Sequence, residues 1–423
     1  MTAQRVGAFS LLALGINGIV GVGIFFTPNL VAALVPGKAG ALVYLATGAL
    51  LVPVALMFSA LGARLGLDGG PYVWARAAFG PSLAFGVGWV TAISALLSTA
   101  AVISGLRDHL APALHVPEGA ARVAFAWATV GALSLVAAAG LRPSAWTWDA
   151  LTVLKLVPLA LLLLFALLAQ PSAPSATPAD NPASGFARAL LIAVFPLQGF
   201  EAVPVLAGSA RGRGAVAIAT IGSLMFAALL YGLIQLACVS AAPDLAAHSA
   251  PLAHAAQRVG GASLMTLVAV GTNLSALATA FGMIVMTPRY VAALAGEGGI
   301  ASQLGALDSR AVPRFALWTS ALLIGVLASS QRLGSLFVLS SAAVLLQYVS
   351  ALASLVVLAL RGDAGLTRVW LLPAFTSLFA VGFLVRAVDL RELRVLAGVV
   401  LAGVLAALVS AYTKRRAQRR ERL

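Results

Sequence analysis

GINGIVGVGIFFTP, residues 15–28, is the stretch that decides the fold: a long apolar helix pattern with four glycines in its first nine positions. Each glycine inside a helix costs about 1 kcal/mol relative to alanine. The run therefore indicates one of two things. Either the helix unwinds here, or the small residues allow a neighbouring helix to approach closely. Inside a membrane, unwound backbone is tolerated only where it is buried in protein or lines a cavity. Its unpaired N–H and C=O groups would then form a receptor for a zwitterion.

The composition of the whole chain places this stretch in a membrane protein. The 423 residues are 61% hydrophobic and only 9% charged. About twelve stretches reach the length of roughly 20 apolar residues that a spanning helix needs, and the short connections leave no room for a sizeable soluble domain. We therefore predict an all-α polytopic membrane protein with about twelve transmembrane helices.

The net charge of +14 is explained by topology and not by a nucleic-acid partner. The basic tail, residues 414–423, directly follows the last predicted span and is typical of an anchor against anionic lipid. An even number of spans places both termini on one side, and most of the 27 Lys and Arg residues fall on that side. We therefore expect an integral plasma (inner) membrane protein with both termini in the cytoplasm.

The cysteine and histidine residues give no indication of a metal, a cofactor or a catalytic centre. Cys238 is the single cysteine and lies in an apolar span. The four histidines all fall in predicted connections, without cysteines or carboxylates at metal-ligand spacing; they are His109, His115, His248 and His254. A membrane-embedded enzyme would need a clustered set of such groups, so it is the less favoured class.

A second interrupted helix opens the other half of the chain. FPLQGFE, residues 195–201, places a proline, a glycine and a carboxylate in mid-span, and a proline there removes one helix hydrogen bond. Interrupted helices at corresponding positions of two halves indicate an inverted-repeat transporter. The predicted units are a first repeat (spans 1–5), an external linker, a second repeat (spans 6–10), spans 11 and 12, and a basic cytoplasmic tail, at residues 1–170, 171–187, 188–360, 361–413 and 414–423.

Four motifs, in order along the chain, resemble signatures of the amino acid–polyamine–organocation (APC) family. They are the glycine run at 18–25, GGPYVWARAAFG at 69–80, GFE at 199–201, and PRY at 288–290 followed by GEG at 296–298. The resemblance covers nearly the whole chain. It implies the five-plus-five inverted-repeat fold shared with sodium-coupled neurotransmitter transporters, with helices 1 and 6 broken and an amino acid held between them.

The resemblance places the substrate against the two breaks, and the physical chemistry of the backbone agrees. N–H groups at the start of the outer half-helix suit the α-carboxylate, because a helix N-terminus favours anions. Carbonyls beside the breaks suit the α-ammonium. The first break carries no charged side chain, which favours a neutral amino acid. The predicted substrate-binding residues are Ile19, Val20, Gly21, Val22, Gly23, Ile24, Phe195, Gln198 and Gly199.

Two further residues of span six have alternative interpretations. Phe195 stands where the family places an aromatic gate over the substrate, although a phenylalanine can also be ordinary core or lipid-facing. Glu201 is an ionisable group deep in a span, where such groups are costly and usually functional. The alternative for Glu201 is a structural carboxylate that caps N–H groups of the unwound segment.

Lys155 is the one lysine inside a predicted span. It lies about six residues, or roughly 9 Å, from the cytoplasmic end of span five, so one alternative is that it snorkels to the interface. The resemblance implies instead an ammonium in the site that sodium occupies in related transporters. There it would bridge spans one and eight, near Asn273 and Ser275. Lys155, with Glu201, is then the predicted site of proton coupling, and its presence argues against sodium coupling.

These observations predict a secondary active transporter, a permease that takes up a neutral amino acid by proton symport. In the expected alternating-access cycle, Phe195 closes over the substrate and spans 1, 2, 6 and 7 rock against the rest. The alternatives are an amino-acid exchanger without proton coupling and a non-transporting membrane sensor. The expected partners are an amino acid, protons and the lipid bilayer.

Overall fold

The computed structural model of the chain describes residues 7–65, 70–140, 145–169, 182–205, 213–296, 301–310 and 312–421. Within these ranges the regular structure is helical throughout, with no strand. The sixteen α-helices of the described ranges are α1 (Ala8–Ile19), α2 (Gly23–Phe26), α3 (Pro28–Leu34), α4 (Gly40–Leu65), α5 (Pro71–Phe79), α6 (Pro81–Ala113), α7 (Ala120–Ala138), α8 (Ala145–Leu168), α9 (Pro182–Leu197), α10 (Ala202–Val205), α11 (Arg213–Ala241), α12 (Pro251–Gly296), α13 (Arg314–Ser330), α14 (Leu333–Arg361), α15 (Leu371–Val385) and α16 (Leu390–Glu421).

Among the described residues, 7 helices are long and apolar enough to cross a membrane. The bent pair formed by residues 11–26 and 28–34 raises that number to 8. Three shorter apolar helical stretches coincide with the predicted spans five, six and nine; they are Leu154–Leu168, Gly185–Leu197 and Arg314–Ser330. The predicted twelfth span lies within α16. Length and composition therefore confirm a helical membrane protein. They establish 7 or 8 spans among the described residues, whereas the sequence predicts about twelve.

The outer surface of the helices carries large apolar side chains, as expected where the solvent is lipid. Phe9 and Leu167 are 82% and 83% exposed. Phe375 and Phe379, one turn apart on α15, are each 69% exposed. Water would penalise so much exposed apolar surface, whereas a bilayer accommodates it. These exposures agree with an integral membrane protein.

The helices pack mainly as two groups. In the first group α11 packs along both α4 and α1, and α9 packs against α4. Gly48 makes the contact between α4 and α11 possible, because a Cβ atom there would lie 2.5 Å from the Cβ of Ala228. In the second group α6 packs against α12 and α14, and α8 packs against α12. The first group contains the spans that we expect to move together.

The N-terminal half of α9 is tied to the first turn of α16 and to the connection that precedes it. Arg188 donates from Nη1 and Nη2 to the two carboxylate oxygens of Glu392, at 2.8 and 2.6 Å. Its Nη1 also donates to the carbonyl oxygen of Ala387, at 2.9 Å. A bidentate arginine–carboxylate pair fixes orientation as well as distance. We call these contacts the Arg188 clamp.

Two statements about the histidines are corrected by the structure. His109 lies in α6, because that helix continues to Ala113, and His254 lies in the first turn of α12, so neither is in a connection. His248 and His254 also do cluster with a carboxylate, that of Asp244. His248 and His254 have the H-x5-H spacing found at zinc sites, and the turn between α11 and α12 adds Asp244 to this pair.

Some sequence predictions fall outside the described residues. They concern most of the linker at 171–187 and parts of two family motifs, namely Gly69, Glu297 and Gly298. The tail is described as helix up to Glu421, but its side chains are not described.

Candidate functional site

The first break lies between α1 and α2, at residues 20–22. The last helical hydrogen bond of α1 runs from the N–H of Val20 to the carbonyl of Ile16, at 2.7 Å. Val20 then leaves helical backbone, with ψ of 74°, and α2 begins at Gly23. Val20 and Val22 are 0% and 2% exposed. The unwound peptide groups are therefore inside the protein, as the rule for membrane backbone requires.

The second break lies between α9 and α10, at residues 198–201. Only turn-like hydrogen bonds cross it, from the N–H of Gln198 to the carbonyl of Phe195 and from the N–H of Val203 to the carbonyl of Phe200, each 3.3 Å. Gly199 has φ of +120°, a conformation that only glycine adopts without strain. The predicted interruption of span six is therefore present in the backbone.

The two breaks touch each other through glycine. A Cβ atom on Gly199 would lie 2.5 Å from the carbonyl oxygen of Gly18 and 2.8 Å from the nitrogen of Ile19. A Cβ atom on Gly23 would lie 2.5 Å from Cα of Pro196. The glycine run thus both unwinds and allows close approach, so the two interpretations of residues 15–28 hold at different glycines.

Lys155 of α8 reaches the end of α1. Its Nζ donates to the carbonyl oxygen of Asn17, at 2.9 Å, and the residue is 8% exposed. Asn17 is one of the last four residues of α1, whose carbonyls have no regular partner within the helix. Lys155 therefore does not snorkel to the interface. It caps α1 just before the first break.

The two polar residues expected beside Lys155 on span eight both lie in α12. Asn273 donates from Nδ2 to the carbonyl of Ala269 within its own helix, at 3.0 Å. Its Oδ1 and the hydroxyl of Ser275 are buried with no hydrogen-bond partner among the described residues. The oxygen of Thr279, one turn further along α12, would lie 3.6 Å from a Cβ atom on Gly21. α12 therefore places one side-chain oxygen, that of Thr279, beside the first break.

Tyr231 of α11 binds the same end of α1 and was missed by sequence reasoning. Its hydroxyl donates to the carbonyl oxygen of Ile19 at 2.8 Å, and the N–H of Gly21 donates to that carbonyl at 2.6 Å. The carbonyl of Ile19, which we expected to be available to an ammonium, is thus already hydrogen-bonded. A single tyrosine in an apolar span has no sequence pattern that marks such a contact.

Glu201 caps the second break. Its Oε2 accepts the N–H of Gly199 at 2.5 Å, and its Oε1 accepts the hydroxyl of Tyr348 on α14. Tyr348 is 0% exposed. This is the geometry of the structural alternative for Glu201, because both carboxylate oxygens serve groups of the protein.

Phe195 is buried in a ring contact and does not face lipid. Its ring centroid lies 4.3 Å from that of Phe337 on α14, with the ring planes 36° apart. Phe195 is 7% exposed and Phe337 is 0% exposed. Aromatic pairs at this separation attract beyond their area burial. The predicted gate residue therefore has an aromatic partner, Phe337, that the sequence did not reveal.

The predicted substrate-binding residues lie together at the crossing of the two breaks. Gln198 and Gly199 are partly exposed, and the others are buried; these are Ile19, Val20, Gly21, Val22, Gly23, Ile24 and Phe195. The amide Nε2 of Gln198 is buried with no hydrogen-bond partner among the described residues. Buried donors are rarely left unpaired, so this amide is available to a polar partner.

Comparison with known proteins indicates the family of the chain. A sequence-family model for amino acid permeases matches residues 6–406. An arginine/ornithine antiporter of Pseudomonas aeruginosa is 25% identical over 340 residues, 77% of this chain and 70% of that protein. A branched-chain amino acid permease of Lactococcus lactis is 23% identical over 402 residues, 88% of this chain and 86% of that protein.

A transporter of Mycobacterium tuberculosis described as uncharacterized is similar over a greater length. It is 28% identical over 429 aligned positions, 98% of this chain and 91% of that protein. The family match spans both breaks, the capping residues and the helices that carry them. The chain therefore belongs to the amino acid permease family of the APC superfamily.

Proposed function

We propose that this permease is a secondary active transporter that moves a neutral amino acid by alternating access, coupled to protons. The proposal includes a five-plus-five inverted-repeat fold with twelve spans, both termini in the cytoplasm and the repeats at residues 1–170 and 188–360. The seven long helices, the bent pair, the three shorter apolar stretches and α16 supply the twelve spans of this proposal.

The proposed substrate site is the crossing of the two breaks. The N–H groups of residues 22–24 take the α-carboxylate at the start of α2, together with the unpaired amide of Gln198. The α-ammonium is held by carbonyls of the breaks. Because the Ile19 carbonyl already accepts Tyr231 and Gly21, the ammonium contacts fall mainly to Val20, Phe195 and Gln198. These backbone groups bind what all amino acids share.

The engagement of Glu201 supports a neutral side chain on the substrate. A cationic side chain would need a carboxylate to offset the cost of burying its charge. Glu201 is the carboxylate at the second break, and its two oxygens are taken by Gly199 and Tyr348. A small or apolar neutral amino acid therefore fits the proposed site better than arginine or ornithine.

The single observation that carries the coupling proposal is the hydrogen bond from Lys155 to Asn17. The bond joins α8 of the second helix group to α1 of the first, so it must lengthen when the groups move relative to each other. A lysine that gives up its proton on one side of the cycle loses a charge-assisted hydrogen bond there. Proton binding at Lys155 would then favour the conformation in which α1 and α8 are joined.

An exchanger without proton coupling is the second candidate, and one relative favours it. The arginine/ornithine antiporter of Pseudomonas aeruginosa is an exchanger by its name. In an exchanger, Lys155 would stay protonated and act only as a fixed cap of α1. The two candidates therefore differ in what the same hydrogen bond does during the cycle.

The test is uptake of labelled alanine, valine, leucine, arginine and ornithine into proteoliposomes. Three conditions separate the candidates: an inward proton gradient, an inward sodium gradient, and unlabelled amino acid preloaded inside. The variants are Lys155→Ala and the matched control Lys38→Ala, because Lys38 is exposed in the connection between α3 and α4.

Proton-driven accumulation of a neutral amino acid that is lost in Lys155→Ala and kept in Lys38→Ala is the expected result. Uptake that appears only with preloaded substrate would make the protein an exchanger. Sodium-driven uptake would contradict the role given to Lys155. No transport of any amino acid under all three conditions would contradict the transport proposal itself and favour a sensor.

A further inference from the structure

Asp244, His248 and His254 meet at the connection between α11 and α12, away from both breaks. Nε2 of His248 lies 3.0 Å from Oδ2 of Asp244, and Nε2 of His254 lies 3.0 Å from Oδ1. One ligand atom from each of the three residues falls within 4.8 Å of the other two. Two imidazole nitrogens and a carboxylate oxygen are a donor set that zinc and neighbouring transition metals prefer.

The backbone of the connection holds these three residues in place. The N–H of Ala247 donates to the carbonyl of Asp244 at 3.0 Å, and the N–H of His248 donates to that of Leu245 at 3.2 Å. Leu245 is 0% exposed and anchors the turn in the core. His254 follows in the first turn of α12. The cluster is thus fixed by a hydrogen-bonded turn and by a helix, not by loose side chains.

The geometry of the cluster suits an ion with little rearrangement. Zinc holds nitrogen and oxygen ligands at about 2.1 Å in a tetrahedron, which separates neighbouring ligand atoms by roughly 3.4 Å. The two nitrogen–oxygen distances of 3.0 Å involve different oxygens of the Asp244 carboxylate. One ligand atom from each residue lies within 4.8 Å of the other two, so rotation of the side chains can bring the three atoms to this spacing. The rings of His248 and His254 are already stacked, with centroids 3.5 Å apart and planes 16° apart. Both Nε2 atoms therefore point to one carboxylate from the same direction.

Access and charge also favour a cation. The side chains of Asp244, His248 and His254 are 46%, 40% and 18% exposed, so that an ion can enter and water can fill a fourth position. The Asp244 carboxylate lies 3.0 Å from both imidazoles and supplies the negative charge that a cation requires. Arg258, with Nη2 at 3.9 Å from Oδ1, is 56% exposed and can turn into solvent when an ion binds.

We propose that Asp244, His248 and His254 form a binding site for one Zn²⁺ or a related first-row transition-metal ion. The three protein ligands leave a position for water. The site joins the end of α11 to the first turn of α12, and in the proposed orientation it faces the outside of the cell. It is independent of substrate binding and stands whether or not the protein transports amino acids.

The test is metal binding by the purified full-length chain, with any affinity tag removed. Zn²⁺ is titrated in competition with a chromophoric chelator near neutral pH, and Co²⁺ absorbance gives a second readout of the ligand environment. The variants are His248→Ala with His254→Ala, and Asp244→Asn, which keeps the size of the side chain. His115→Asn is the matched control, because it removes a histidine from another connection at a position with φ of +58° that asparagine tolerates.

One Zn²⁺ per chain in the wild type and in His115→Asn is the expected result. The double histidine variant should bind at least about 100-fold more weakly, because loss of a mere supporting partner already costs 10–100-fold. Thermal unfolding without metal shows whether each variant is folded, and Asp244→Asn tests the site if the double variant is not. Equal affinity in the wild type and the variants, or no competition with the chelator, would overturn the proposal.

Discussion

The two breaks are capped in different ways, and the difference indicates which break responds to movement of the surrounding helices. The first break depends on distant helices, because Lys155 of α8 and Tyr231 of α11 bind the last carbonyls of α1. The second break is capped mostly by its own residue, because Glu201 accepts the N–H of Gly199. Any shift of α8 against α1 must therefore change the capping of the first break. A shift of α14 against α9 changes only the hydrogen bond from Tyr348 to Glu201 and leaves the bond from Gly199 to Glu201 in place.

The fifth spans of the two proposed repeats occupy corresponding positions. In this proposal α8 is the fifth span of the first repeat, and α14 is the fifth span of the second. Each donates a hydrogen bond at the break of its own repeat, Lys155 to the carbonyl of Asn17 and Tyr348 to the carboxylate of Glu201. The donor is an ammonium in one repeat and a phenol in the other. Only the ammonium is positively charged at neutral pH, which favours the first break as the place of coupling.

The largest effect is expected where the two breaks touch. Gly199→Ala adds a Cβ atom 2.5 Å from the Gly18 carbonyl and forces alanine to φ of +120°, so we expect loss of folded protein or of all uptake. Gly18→Ala should be milder, since its Cβ atom would lie 3.3 Å from the Gly199 carbonyl. Gly131→Ala, which has open space, is the control. The measurements are the yield of monodisperse protein and the uptake of substrate. Normal uptake by Gly199→Ala would show that the close contact between the two breaks is not required.

The next effect concerns Lys155 alone. An inward gradient of one pH unit is worth about 1.4 kcal/mol per proton and supports up to about tenfold accumulation of substrate. We expect Lys155→Met to equilibrate the substrate but to accumulate none, because methionine fills the space without carrying a proton. The measurement is the steady-state ratio of internal to external label. Accumulation equal to that of the wild type would show that the first break is not the coupling site.

A smaller effect is expected from Tyr348→Phe. It removes one of the two hydrogen bonds to Glu201, and a hydrogen bond to a charged group is worth about 1.5–3 kcal/mol. The variant should therefore unfold at lower temperature in detergent while proton-driven accumulation keeps its dependence on pH gradient. A lost gradient response with unchanged stability would instead place coupling at the second break.

The smallest effect is expected from Tyr231→Phe. The carbonyl of Ile19 keeps the N–H of Gly21 when the hydroxyl is removed, so only about 1 kcal/mol of stability is at stake. Compared under the same conditions, Tyr231→Phe should melt closer to the wild type than Tyr348→Phe. The reverse order would mean that the first break depends on Tyr231 more than the second break depends on Tyr348.

The sequence was sufficient for those parts of the site that depend on backbone freedom. The glycines mark both breaks because a helix interior disfavours glycine: Gly21 and Gly199 lie within the breaks, and Gly18 and Gly23 flank the first one. Lys155 was noticed because a charge in an apolar span is costly. The family match over residues 6–406 also follows from motifs visible in the sequence.

The partners of these residues could not be read from the sequence. Tyr231, Tyr348 and Phe337 lie in apolar spans where a single aromatic residue fits ordinary packing, so only the way the helices pack identifies them. The histidine cluster was missed for a related reason. The H-x5-H spacing of His248 and His254 is within the range found at zinc sites, but the carboxylate that completes the cluster, Asp244, is brought there by the turn between α11 and α12.

The Arg188 clamp couples the movement of α9, the helix before the second break, to that of α15 and α16. Arg188 donates hydrogen bonds to Glu392 from both Nη atoms. When α9 tilts, either the start of α16 moves with it or the ion pair breaks. Spans 11 and 12 would then move together with α9 during the cycle. A spin label placed between α15 and α16 would consequently report on the motion of α9 without any label in the substrate site.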